Sequence, residues 1–364
     1  MGKKTQGVDI GIVIAVLALV TLGIVMVFSA SAVISGYVFL LKQIMWAVIG
    51  IMLMVVFANI DYNGLQRFSR LIVVLSIGLL AFVLFSHPVG GARRWLRMGM
   101  IGFQPSELAK LGLVLYIADL LDRRQSKIED FKTCLLPVLI MVFVIAALIY
   151  IEPDLGSTAV VLIMCMIMLF MGGAKIYQLF FLVLSGLPLM YIAIFHVGYR
   201  RQRLLSFLNP DIDIHGIGYQ LRQSLLALGS GGLLGKGLGA SRAKLFYLPQ
   251  PHTDFILPVI GEELGFLGVT AVIVLFVFIT VRGCRIALRA PNLFGSLVAC
   301  GITMLISLNA LINVAVVTAS VPTKGLPLPF VSFGGSSLIF SLIGVGILLN
   351  ISTQGVAERK KKLK

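Results

Sequence analysis

Long apolar runs separated by short polar breaks occupy nearly the whole chain. A helix needs about 20 mostly apolar residues to cross a bilayer. By that measure ten spans are expected, at 10–34, 38–59, 71–88, 105–121, 133–151, 155–172, 177–196, 255–281, 294–318 and 337–352. Only Glu152-Pro153-Asp154 parts the fifth from the sixth. The predicted fold class is therefore an all-α polytopic membrane protein, one integral domain over residues 1–364. One connection is long, residues 197–254 between spans seven and eight. In it YQLRQSLLAL has the pattern of a short amphipathic helix lying on the membrane. GSGGLLGKGLG follows, expected to be flexible, with backbone N–H groups able to approach a phosphate.

Composition agrees with the pattern. The 364 residues are 59% hydrophobic and 12% charged, too little polar surface for a soluble protein of this size. The net charge of +15 would suggest nucleic acid in a soluble domain; here it reads as membrane electrostatics, with no nucleic-acid partner expected. Lys and Arg place the N-terminus and the basic tail, residues 356–364, in the cytoplasm. Lys3 and Lys4 before an apolar run resemble a signal peptide, but the run is too long and reads as the first span. Eleven of the 30 basic residues then fall outside: Arg93, Arg94, Arg97, Lys324, and seven in the long loop, Arg200, Arg201, Arg203, Arg222, Lys236, Arg242 and Lys244. Plain solvation of outer loops is one reading. The other is a basic surface for an anion beside the bilayer, such as phosphate on a lipid carrier. Cys134, Cys165, Cys284 and Cys300 all avoid outer loops, so no disulfide is expected. No HExxH or CxxC motif is present, and no metal site is assigned.

The charges within the spans carry the chemistry. Asp254 falls at the outer lip of span eight, and Glu262 and Glu263 lie roughly 10–13 Å deeper. Span four opens with QPSELAKLGL, where Ser106 can cap the helix and Glu107 and Lys110 share a face. The expected arrangement is an ion pair from Lys110 to Glu262 or Glu263, in a polar cluster with Glu107. Such a cluster could tie helices together or serve function. Asp254 could be a helix cap or a reacting group, and Thr253 could cap instead. Glu152 and Asp154 fit a tight turn before a helix. Ser336 and Ser337, after the irregular VPTKGLPLPFVSFGG, open a helix N-terminus that suits either an anion or a rigid entry turn.

Four stretches together resemble the SEDS family (shape, elongation, division and sporulation): GGARRWLRMGMIGFQPSELAKL, EPDLGS, GYQLRQSLLALGSGGLLGKGLGASRAKLFYLPQPHTDFILPVIGEELGFLG and PTKGLPLPFVSFGGSSL. They occur in order over nearly the whole chain, and their details are closer to the FtsW/SpoVE branch than to RodA. The resemblance implies a glycosyltransferase that polymerises lipid II into glycan strands on the outer face of a bacterial plasma membrane. It implies Asp254 as the essential aspartate, with Trp95 and Glu107 at important positions. It also implies a class B penicillin-binding protein as partner, among other division proteins. Gln250 stands where the family often has a carboxylate, and Phe333 where it often has tyrosine. The expected chemistry is one displacement with inversion. Asp254 would be general base; Arg93, Lys110, Arg200, Arg201, Arg203, Arg222, Lys236, Ser336 and Ser337 would be placed to meet the substrate. A divalent cation, magnesium or manganese, is the one cofactor the reaction leaves room for. A lipid II flippase and a non-catalytic division scaffold are the competing readings.

Overall fold

The structure is a computed structural model that describes residues 7–88, 92–98, 101–128, 130–208, 216–242, 244, 248, 251–322 and 325–362. Gln250 and Lys324 lie outside the described residues. The helices are α1 (Ile10–Ser35), α2 (Val38–Asn59), α3 (Tyr62–Val83), α4 (Pro105–Arg123), α5 (Leu136–Ile151), α6 (Leu155–Met171), α7 (Ile176–Phe195), α8 (Gly198–Leu208), α9 (Ile217–Ser230), α10 (Ile256–Arg289), α11 (Leu293–Val317) and α12 (Gly335–Lys362). Eight of them are long and apolar enough to cross a membrane. The expected fourth and sixth spans are also helices. α4 carries too much charge for that class, and α6 has only 17 residues.

Polar residues punctuate the apolar runs. Asp9, Asp61, Asp154 and Asn292 accept a backbone N–H at the starts of α1, α3, α6 and α11. Ser106 does not cap α4: Pro105 is already helical and Gln104 is the cap residue. Phe255, with no side-chain bond, precedes α10, so neither Thr253 nor Asp254 caps it. Between α3 and α4 stands a hairpin absent from the all-α expectation, β1 (Leu96–Met98) antiparallel to β2 (Ile101–Phe103), with Leu96 opposite Phe103.

α12 is the most enclosed of the eight candidate spans and packs on α2, α11, α10 and α4. α7 is peripheral, with most of its apolar side chains exposed. The start of α1 meets the ends of α10 and α12. Ser352 donates to the Gly7 carbonyl (3.2 Å), and Arg282 pairs with Asp9 (2.8 Å).

The long connection departs from its expected form. α9 exists but packs along the outer part of α10 instead of lying free on the surface. It leads the glycine-rich segment to a break in α10 at Gly265, where φ is +69°. The break orphans two carbonyls and two N–H groups, and the segment satisfies all four. Lys236 N and Gly237 N donate to the Glu262 and Glu263 carbonyls (3.0 Å each). Phe266 N and Leu267 N donate to the Gly232 and Leu233 carbonyls (2.8 and 3.2 Å). These backbone groups are thus engaged with the helix, not free for a phosphate. Gly265 lies about 15 Å along the helix from Asp254 at 1.5 Å per residue, so the segment folds back alongside the first turns of α10.

The expected Lys110 bond to span eight does not form, because α4 and α10 are not packing partners. Lys110 pairs with Glu107 on its own helix (2.8 Å). The folded-back segment supplies the other cations: Lys236 to Glu262 (2.8 Å) and Lys244 to Glu263 (3.1 Å). Ser241 Oγ donates to Glu262 (2.6 Å), and Ser29 of α1 donates to Glu263 (2.7 Å).

Two substitutions test this docking. At Gly235 φ is +81°, and a Cβ would lie 2.2 Å from the Glu263 carbonyl oxygen. Gly235→Ala should lose more than about 1 kcal/mol, read as a lower unfolding temperature in detergent; an unchanged temperature contradicts the docking. Lys244→Met should lose about 3–5 kcal/mol by stranding Glu263, with much of the loss recovered when Glu263→Gln is added.

Candidate active site

Asp254 lies in the turn that enters α10, and its main chain is fixed from two sides. Asn313, buried on α11, donates from its amide to the Asp254 carbonyl (2.9 Å) and the Leu326 carbonyl (2.8 Å). Ser332 Oγ donates to the Thr253 carbonyl (2.6 Å) and accepts from Leu328 N (2.8 Å). Phe333 N donates to the His252 carbonyl (2.9 Å). The segment before α12 and the segment before α10 are therefore one unit. The irregular, proline-rich backbone is satisfied internally, as membrane depth requires.

The Asp254 carboxyl is partly exposed and makes no ion pair with the described residues. A Cβ on Gly325 would lie 2.5 Å from its Oδ2, so a bare backbone backs the carboxyl. Burial pushes its pKa up to about 6, helped by the negative charge of Asp154 and opposed by Arg94 and Arg203. The α12 entry thus touches the Asp254 carboxyl, while the charges of Asp154, Arg94 and Arg203 reach it from the α5–α6 turn, the segment before β1 and α8.

Asp154 is buried and caps α6, accepting from Ser157 N (3.1 Å) and Ser157 Oγ (2.8 Å). Arg94 spans from the hairpin to the turn: its Nε donates to the Glu152 carbonyl (3.0 Å), and an Nη donates to the Pro153 carbonyl.

Other residues singled out in the sequence are distributed differently. Arg93 is exposed and donates to the Leu84 carbonyl (2.9 Å), and it is the charge of its neighbour Arg94 that reaches Asp254. Trp95 is half-buried with its ring over Gly102. Among the loop cations, Arg203 bears on Asp254. Arg200 is buried, stacks over Tyr150 at 4.2 Å and donates to the Ala193 carbonyl (3.1 Å), which anchors α8. Arg201 and Arg222 are exposed, and Lys236 serves Glu262. Ser336 Oγ accepts from Gln104 N (3.0 Å) and donates to the Gly102 carbonyl (3.2 Å), so it ties the hairpin to α12 instead of waiting for an anion. Ser337 is buried in the first turn of α12. Glu107 and Lys110 line a small cavity with Asn309, Ser341 and Phe340. Among the described residues no group of three or more His, Cys, Asp or Glu side chains could hold a metal, so no step is routed through one.

Arg94, Asp154 and Asn313 were not selected from the sequence. Asn313 had a legible signal, an amide inside an apolar run.

Fold and site define a multi-pass membrane protein with an aspartate braced through its main chain at one end of the helix bundle. The chain belongs to the cell cycle protein family of FtsW, RodA and SpoVE, whose model matches residues 10–356. It is 42% identical over 362 residues to the probable peptidoglycan glycosyltransferase FtsW of Geobacter sulfurreducens, covering 97% of each chain. It is likewise 42% identical over 362 residues to stage V sporulation protein E of Bacillus subtilis, covering 97% of this chain and 99% of that one. Among solved structures, a chain of a peptidoglycan synthase complex that coordinates polymerization and crosslinking superposes with a TM-score of 0.82 at 29% identity, over 96% of this chain and 99% of that one. The rod shape determining protein RodA of Thermus thermophilus gives 0.72 at 29% identity, over 96% and 97%.

Asn313→Leu tests the frame. It leaves the carbonyls of Asp254 and Leu326 without their donor and should lose about 1–3 kcal/mol in a detergent unfolding assay. A fully stable variant contradicts the bracing role.

Proposed function

We propose that this chain is a peptidoglycan glycosyltransferase that polymerises lipid II on the outer face of the plasma membrane, with Asp254 as general base. The observation that carries the reading is the Asp254 carboxyl itself: braced through its main chain, not used as a helix cap, unpaired among the described residues, and within reach of the charges of Arg94 and Arg203. Asp254 takes the proton of the acceptor hydroxyl as that oxygen attacks the anomeric carbon of the second sugar. The bond from that carbon to the lipid pyrophosphate breaks, with inversion. Arg94 and Arg203 stabilise the charge that gathers on the leaving pyrophosphate. The proton then passes from partly exposed Asp254 to water. A base with a pKa of about 6 is ionised at neutral pH yet holds a proton better than an ordinary carboxylate, which suits it to the task.

Lys and Arg distribution supports cytoplasmic termini, with Asp254 at the outer end. The likeness to a chain of a peptidoglycan synthase complex supports a class B penicillin-binding protein as partner. A divalent cation, magnesium or manganese, stays a candidate for the pyrophosphate rather than an assigned ligand. Similarity to both FtsW and sporulation relatives supports division or sporulation as the setting.

Polymerisation from purified lipid II, with and without the candidate partner, tests the reading. Wild type should form glycan and Asp254→Ala should form none while folding normally. Wild-type rates in the variant would sink the enzyme reading in favour of a flippase or scaffold. The ionised form is the active one, so kcat/KM should fall about tenfold per pH unit below about 6. A profile flat through that region contradicts the assignment.

A further inference from the structure

One buried acid is unused by this chemistry. Glu152 caps the end of α5 at the α5–α6 turn, wholly buried, and both of its carboxyl oxygens lack a hydrogen-bond partner among the described residues. The nearest cation does not serve them, since Arg94 spends its Nε and an Nη on the carbonyls of Glu152 and Pro153. Two residues on, Asp154 has its own donors in Ser157. From α8, Arg200 lies over Tyr150 and donates to Ala193. An ionised Glu152 would be a second negative charge beside Asp154 with nothing donating to it.

We propose that Glu152 works as a neutral carboxylic acid, a positioning residue that leaves the charge of Arg94 to Asp154 and Asp254, and whose ionisation switches the site off at alkaline pH. The inference rests on the glycosyltransferase reading for what the site does. With Glu152 neutral, the carboxylates of Asp154 and Asp254 are balanced by Arg94 and Arg203. With Glu152 ionised, a surplus negative charge stands where a pyrophosphate-bearing substrate must enter. Burial and the charge of Asp154 push the Glu152 carboxyl up to about 8, against the pull of Arg94. Asp254 titrates lower, at about 6. Between the two values the base is ionised while Glu152 keeps its proton.

The test uses the full chain in proteoliposomes with lipid II, and two readouts on wild type and Glu152→Gln. In kcat/KM against pH, wild type should rise through about 6 and fall through about 8. Glu152→Gln, the uncharged isostere, should match the wild-type plateau and lack the alkaline fall. In the infrared, wild type at about pH 7 should show a protonated-carboxyl band that Glu152→Gln lacks. The infrared band needs no turnover, so it judges Glu152 even if neither preparation polymerises, an outcome that would count against the glycosyltransferase reading alone. A missing wild-type band, an alkaline fall unchanged in Glu152→Gln, or a folded Glu152→Gln that is inactive at neutral pH would each overturn the proposal.

Discussion

A carboxylate held away from water must find a cation or a proton. Most of the buried acids in this protein meet a cation close at hand. Glu107 has Lys110, Glu262 has Lys236, Glu263 has Lys244, and Asp119 has Arg123 at 2.6 Å. Asp154 is satisfied by the start of its own helix. Buried Glu152 and the partly exposed Asp254 are treated differently. Neither has a cation in contact among the described residues, and both carboxyls are pushed toward the protonated form. Both exceptions feel the charge of Asp154, and one of them is the proposed base.

Meeting that constraint shapes the Asp254 end of the bundle. Glu262 and Glu263 can be buried because a loop folds back onto α10 to bring them lysines. The loop can do so because α10 breaks at Gly265 and offers backbone partners. The same docking joins α9, the folded-back segment and the first turns of α10 into one unit. Asn313 and Ser332 then fasten the Asp254 turn to the entry of α12, the most enclosed of the candidate spans. Asp254 is thus presented by rigid elements on both sides, which catalysis by positioning requires.

Hydropathy made the helices legible, since a bilayer sets both their length and their apolar character. Asp254 was legible for a related reason, as an acid at the mouth of an apolar run. Which charges pair was not legible. Lys110 and Glu262 sit at similar depths, but pairing depends on which helices are neighbours, and α4 and α10 are not. The docking of the glycine-rich segment is equally non-local, since its N–H groups read as free until the break in α10 is known. Arg93 and Arg94 differ by one position, and only the backbone before β1 decides whose charge reaches the site. Glu152 looked like a turn residue, and its importance arises from burial without partners, a property of packing.

The central claim is that Asp254 acts on the reacting atoms and not on substrate capture. Single-turnover glycan formation by Asp254→Asn, with lipid II binding followed in the same sample, tests it most directly. Binding should stay within about threefold of wild type while the chemical step slows by about 10²–10⁴-fold. Chemistry at the wild-type rate, or a loss that merely tracks weakened binding, would contradict it.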